Sequence, residues 1–322
     1  MKIKNSPYNL KETFGYFKRN FLGPVTKNRG LVKYCPQFNQ LNSGVHPQIT
    51  IGFIGDIMDM AGRSLRIGDG VRQFVQTCDY LVGNFEATIT TAKGAYMAQR
   101  HIPQILEALM DFFPPERTFL GLANNHSGDF GLDIWSDSKK QIEDKGFHVF
   151  GTSKTPYVEI KNRVRIIGAT QWSNQPVNYI TKIEDASSYC QPGLFNILYP
   201  HWGYELELFP RPEMVAAGKS WSDLFDAIIG HHSHIPQPIT QISVKKPNGP
   251  AEQVIAYGLG DFCIHEKLKH YLYGQVLKLI VGPQATGDWK TGALEWRFIN
   301  CQQKNEKVWE TEVSTCFPYA IE

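Results

Sequence analysis

From residue 49 onward, short apolar runs alternate with stretches of helical periodicity, and polar residues collect where each run ends. The run at 49–54 (Ile-Thr-Ile-Gly-Phe-Ile) has the length and β-branched content of a buried strand and stops at Gly55-Asp56. Val71, Phe74, Val75 and Cys78 then share one helical face. Tyr80-Leu81-Val82 predicts the next strand, ending in Gly83-Asn84-Phe85-Glu86. A second helix carries Ile105, Leu106, Leu109 and Met110, and the strand at 119–123 ends in Asn124-Asn125-His126. Leu132, Trp135 and Ile142 mark a third helix, closed by Gly146 as a C-terminal glycine. The spacing suits crossover helices, so these strands should lie parallel.

The second half has more strand. Residues 195–199 run into Pro200-His201-Trp202-Gly203, and Ala227-Ile228-Ile229 runs into Gly230-His231-His232-Ser233-His234. Residues 254–257 lead to Gly258-Leu259-Gly260-Asp261-Phe262. The alternating runs at 276–280 and 294–298 read as antiparallel strands. Ahead of all this, Leu10, Phe14, Phe17 and Phe21 recur at helical spacing, and 23–47 reads as a connector. Residues 1–48 are therefore expected to be an extension, and 49–322 the main α/β domain.

Charge sharpens that division. Residues 1–49 hold eight Lys or Arg against Glu12 alone, while the remainder holds 25 basic and 30 acidic residues. A nucleic-acid protein should carry its positive stripe on the folded domain, so no nucleic-acid partner is expected. The aromatic stripe of the extension is expected to dock on the acidic remainder, with peripheral contact to anionic lipid as the alternative. No apolar run is long enough for a transmembrane helix, and no signal core opens the chain, so a cytoplasmic protein is expected. The six cysteines form no close pair and read as free thiols.

The strand-end residues Asp56, Glu86, Asn125, His126, His201, His232 and His234 come from five separate loops, where α/β sheets build their sites. Three imidazoles within 231–234 have no packing rationale, and neutral imidazole is the commonest metal ligand. In an extended chain, His232 and His234 would point to one side and His231 to the other. Carboxylate, amide and imidazole together suit one or two divalent ions of the Zn, Mn or Fe type. Asn84, Asn124, Trp202, Glu205 and His231, close to these residues in sequence, and Asp261, on a strand-end loop of its own, are candidates to support the ligands. Asp129 reads as a helix N-cap, with contact to the site as the alternative; Trp202 reads as a packing residue beside the metal loop, with stacking on a substrate as the alternative; and Asp59 and Glu205 read as either site-facing or solvent-facing. Among the other histidines, only His265 stands near a motif.

The order Gly-Asp, Asn-Phe-Glu, Ala-Asn-Asn-His, His-Trp-Gly, Gly-His-His-Ser-His and Leu-Gly-Asp-Phe resembles the CapA family of poly-γ-glutamate capsule biosynthesis proteins, which are similar in fold to calcineurin-like metallophosphoesterases. The resemblance spans 49 to about 265. It implies a four-layer αββα sandwich of two mixed sheets. It also implies that Asp56 and His234 bind a first metal, that Glu86 bridges, and that Asn125, His201 and His232 hold a second. His126 would act as the catalytic general acid. The function it implies is hydrolysis of an amide or phosphate ester of a γ-glutamyl or envelope polymer by hydroxide held on the metal. The substrate, small molecule or polymer, would bear carboxylate or phosphate. Peptide epimerisation or a non-catalytic place in polymer assembly are the alternatives. Three positions depart from the pattern: Met58 stands where calcineurin-like enzymes carry a ligand histidine, Glu86 where they carry a bridging aspartate, and Asp261 where CapA proteins usually carry Asn.

Overall fold

Each apolar run forms a strand because its alternate side chains can be buried on both faces of a sheet, and two such sheets stack. The computed structural model describes residues 6–95, 97–246 and 249–319. The larger sheet runs Ser64–Ile67, Val308–Val313, Trp289–Gln303, Tyr273–Pro283, Ile49–Ile57, Tyr80–Phe85, Thr118–Gly121 and His148–Phe150. Phe38–Gln40 adds to Trp289–Gln303, and Asp261–Cys263 adds to Ile49–Ile57. As expected, the last four strands of that order are parallel, and Tyr273–Pro283 pairs antiparallel with Trp289–Gln303. The smaller sheet runs Ile239–Lys246, Gly249–Ala256, Ala227–Ile229, Phe195–His201, Val164–Thr170 and Tyr157–Ile160.

Five α-helices occur among the described residues: α1 (Leu10–Leu22), α2 (Asp69–Val75), α3 (Gln104–Phe112), α4 (Leu132–Asp144) and α5 (Pro212–Trp221). Three cores separate the layers. Ile51, Phe53, Leu277 and Leu279 of the larger sheet meet Ile166, Ile197, Ile229 and Val254 of the smaller one. On its other face the larger sheet packs Ile54, Leu81 and Leu120 against Val71 of α2, Leu106 of α3 and Ile142 of α4. The smaller sheet packs Ile167, Leu198 and Ile228 against Met214 and Val215 of α5. Helix, sheet, sheet and helix thus follow in the αββα order.

One close approach brings the loops together. The Asp56 amide donates to Gly260 O at 2.8 Å, and a Cβ on Gly55 would stand 1.9 Å from that same oxygen. Only glycine allows Asp261–Cys263 to lie against Ile49–Ile57 with Asp261 opposite Asp56. Gly55→Ala should therefore destabilise the fold by about 3 kcal/mol, the upper range for forced overpacking. A melting curve within a degree or so of the parent would refute that role.

The extension differs from expectation. α1 forms, with Asn9 as N-cap accepting from the Glu12 amide at 3.0 Å. It docks, however, through its polar face, and Leu10, Phe14 and Phe21 of the expected docking stripe are exposed. The reason is that its polar groups find better partners than its apolar ones. Arg19 is buried, donates from Nε to Glu205 O at 2.7 Å and pairs with Glu207 at 3.3 Å. Glu12 pairs with Arg211 at 2.8 Å, and Tyr271 donates to Asn20 at 2.7 Å. No described helix is long and apolar enough to cross a membrane. All six cysteines are free.

Candidate metal centre

The parallel strands deliver their polar ends to one edge where the two sheets meet. Asp56 closes Ile49–Ile57, Glu86 follows Tyr80–Phe85, and Asn124 and Asn125 follow Thr118–Gly121. His201 closes Phe195–His201, and the 231–234 loop follows Ala227–Ile229. Asp56, Glu86, His201, His232, His234 and Asp261 are all buried.

These six form three overlapping sets whose ligand-capable atoms lie within 4.8 Å of one another: Asp56, His234 and Asp261; Glu86, His232 and His234; and Asp56, Glu86 and His201. His201 Nε2 is 2.8 Å from Asn125 Oδ1 and 3.3 Å from Glu86 Oε1. His234 Nδ1 is 2.9 Å from Asp261 Oδ1 and 3.6 Å from Asp56 Oδ2, while its Nε2 is 3.6 Å from Glu86 Oε1. Asn84 Nδ2 donates to Asp56 at 2.8 Å and to Glu86 at 3.1 Å, holding the two carboxylates at a fixed separation. Asn124 braces the neighbouring loop, donating to Phe85 O at 2.9 Å.

The histidine loop does not follow the extended alternation expected of it. His232 and His234 adopt φ of 88° and 51°, in a left-handed region that non-glycine residues rarely enter. That turning aims all three imidazoles inward. His231 does not point away: its Nδ1 lies 3.2 Å from Asp56 Oδ1, and its ring sits 4.2 Å from Tyr199.

The electrostatics are those of carboxylates and imidazoles gathered out of water. Burial, followed by the charge of Asp56, pushes Glu86 well above the usual carboxylate range. Burial works the same way on Asp56, but the hydrogen bond and charge of His231 win, with His234 and His201 adding, and Asp56 is held well below that range. Burial keeps His201 and His232 neutral, the form that can ligate. For His234 the carboxylates of Asp261 and Glu86 overcome burial and raise its pKa. Glu86 Oε1, His232 Nδ1 and Asp261 Oδ2 are buried and make no hydrogen bond. Such atoms cost several kcal/mol of desolvation each unless something compensates, on the order of 2–7 kcal/mol for an unpaired polar group. The donor set, a mix of imidazole nitrogen and carboxylate oxygen, fits a divalent cation of the Zn, Mn or Fe type.

A cleft opens beside this cluster, lined by Asn125, His126, Asn174, Glu205, His234 and Tyr271 among others. His126 is not in any of the three sets. Its Nδ1 lies 2.6 Å from Asp129 Oδ2, and Asp129 also accepts from Asn174 at 3.1 Å and from the Gln99 amide at 3.0 Å. Asp129 is therefore not the helix N-cap expected of it; Gly131 holds that position, without a side-chain cap. Asn125 donates to Asn174 at 3.2 Å, tying the His126 imidazole and the Asn125 amide into one network.

Other candidates fall away from the ligands. Trp202 donates to Tyr257 O at 2.9 Å and stacks on Trp221 and Tyr257 in the core behind the smaller sheet. Asp59 accepts from the Ala61 amide at 2.6 Å and shapes a turn. His265 meets the edge of Trp309. His101 is an ordinary core histidine, its ring 4.5 Å from Phe85 and its pKa lowered by burial to about 4.

Three contributors were not found from sequence. Asp129 was visible, three residues after His126, but its position before a helix suggested a cap. Asn174 carries no motif. Tyr8, buried in the extension, places its hydroxyl 2.7 Å from His232 Nε2 and accepts from the Glu205 amide at 3.3 Å. Burial raises the Tyr8 pKa, so the phenol keeps its proton. If it donates that proton to Glu205, its oxygen can accept from His232 Nε2–H, leaving Nδ1 as the ring's ligand atom.

Residues 50–266 match the family described as bacterial capsule synthesis protein PGA_cap. The chain is 25% identical over 251 residues to the PGA biosynthesis protein CapA of Bacillus subtilis (strain 168), covering 66% of this chain and 63% of that protein. It is likewise 25% identical over 255 residues to the capsule biosynthesis protein CapA of Bacillus anthracis, covering 67% of this chain and 59% of that one. The matched stretch thus spans about three fifths of either relative. A crystal structure of a hypothetical protein from Thermus thermophilus aligns with 78% of this chain and 98% of its own length, at 12% identity and a TM-score of 0.46.

Proposed function

This chain belongs to the bacterial capsule synthesis protein family PGA_cap, and on that premise we propose that it is a metal-dependent hydrolase of an envelope or γ-glutamyl polymer. The observation that carries the reading is the juxtaposition of two things: a buried cluster with unpartnered ligand atoms, and an open cleft holding a histidine that the cluster does not use. A purely structural ion would want a closed shell, without a cleft at its side.

In this reading Asp56, His234 and Asp261 hold one ion, and Glu86, His201, His232 and Asn125 the other, with Glu86 shared. Asp261 then supplies the donor that Met58 cannot, which accounts for an acid at a position where the family pattern has an amide. A divalent cation held by these residues would lower the pKa of a water on it and offset negative charge on the reacting group. The chain's own contribution to proton transfer is His126. Asp129 engages Nδ1 and fixes the ring, so Nε2 is the nitrogen available to give a proton to the leaving group. Asn84 keeps the two carboxylates apart, and Tyr8 orients the His232 ring.

The names of the relatives refer to PGA and capsule biosynthesis, and an amide of a carboxylate-rich chain is the substrate class we take from them. The test is incubation of the Zn- or Mn-loaded protein with γ-linked glutamyl oligomers, read by chain length and new amine. Shortened chains are expected. Deuterium from solvent at an α-carbon without shortening would mean epimerisation instead. Neither change, with metal bound and phosphate esters also untouched, would leave a non-catalytic role.

A further inference from the structure

α1 is amphipathic, yet it is mounted with its polar face inward. Leu10, Phe14, Phe21 and Leu22 are 49%, 81%, 77% and 76% exposed. With Val25 and Leu31 just beyond, this one segment supplies six of the ten exposed large hydrophobic side chains among the described residues. At 100° per residue, Leu10, Phe14 and Phe21 fall within a narrow arc, and Lys11 and Lys18 lie along its border. Lys27 and Lys33 continue the basic character and are also exposed. The segment's sole acid, Glu12, is turned inward onto Arg211. An outward apolar stripe of this kind on a soluble surface marks a contact site.

We propose that this face is a docking surface for an anionic lipid bilayer. The charge decides the occupant. A second copy meeting the first through the same face would bring the bordering Lys11 and Lys18 of both copies together, which like-charge repulsion opposes. An anionic interface instead takes the aromatic and aliphatic side chains into its acyl boundary while the lysines reach its headgroups. The inward face is already committed: Arg19 to Glu205 and Glu207, Glu12 to Arg211, and Asn20 to Tyr271. The helix can therefore meet lipid without leaving the protein. Because Tyr8 reaches His232 from the residues just ahead of α1, docking would set the cleft close to the lipid surface. The inference does not depend on the ions or on the reaction proposed above.

The experiment is cosedimentation of the full chain with vesicles of phosphatidylcholine alone and of phosphatidylcholine mixed with phosphatidylglycerol, at an ionic strength of ~0.15 M. Binding is expected to the mixed vesicles and not to the neutral ones, and it should fall as salt is raised. The double variant Phe14→Asp, Phe21→Asp should lower binding at least about tenfold, as two large side chains are withdrawn from the interface. Both positions are largely exposed, so its melting temperature should match the parent's, which separates lost docking from lost fold. Absence of binding to anionic vesicles overturns the proposal. So does binding that the double variant leaves unchanged, or a concentration-dependent dimer that the same variant dissolves.

Discussion

Protein purified without chelator should carry at least one transition-metal ion per chain, and replacing His201 and His232 together by alanine should remove it. The two rings enter from different loops of the smaller sheet, and each faces Glu86 in one of the cation-competent sets. Without them the larger sheet's carboxylates remain, crowded and buried, with His234 as the one imidazole left in the three sets. Elemental analysis reads the result directly. Equal metal content in parent and double variant, or no uptake of Zn²⁺ or Mn²⁺ by the parent, would sink the centre as drawn. The measurement needs no substrate, so it stands apart from any failure to identify the reaction.

Replacing His126 by alanine should leave that metal in place and lower turnover roughly a hundredfold or more, the usual loss when a general acid is removed. The geometry separates the two effects. His126 shares no cation-competent set, and its Nδ1 is spent on Asp129. Asp129 keeps its bonds from Asn174 and the Gln99 amide, so the loop should survive the change. A variant that loses metal along with rate would place His126 among the ligands and require a different proton donor.

Much of this site was legible because its residues stand at strand ends, where hydrophobic periodicity breaks off. Asp56, Glu86, Asn125, His201, His232 and His234 were each found that way, and the structure gathers them. What escaped depends on contacts between segments far apart in the chain. Asp261 looked like a supporting residue, and only its register opposite Asp56 reveals it as a ligand candidate. Tyr8 belongs to a segment read for its charge, and nothing local marks it as a neighbour of His232. His231 and Asp129 were misjudged for one reason: each was assigned a direction from ideal geometry, an extended strand or a helix start, that the loop does not adopt. The strands Val164–Thr170 and Ile239–Lys246 and helix α5 were not isolated at all. The first two carry no polar strand-end motif, although both are required to complete the smaller sheet.

Docking of α1 reversed its expected face for a physical reason of the same kind. Its apolar spacing was read correctly, but the partners of Arg19, the backbone oxygen of Glu205 and the carboxylate of Glu207, lie nearly two hundred residues away. Periodicity says which side chains share a face; it does not say which face the rest of the molecule can satisfy.

The ligand sets draw Asp56, Glu86 and Asp261 from the larger sheet, and His201, His232 and His234 from the smaller one. An ion held at their centre would thus be a cross-tie over the seam between the two halves of the sandwich. By mass action, a ligand bound by the folded state alone adds about 2.7 kcal/mol at a hundred times its dissociation constant. If the proposed ion binds, the free metal concentration would become a variable of folding as well as of chemistry. On the proposed reading, withholding the ion would remove the proposed activity and the tie between the sheets together.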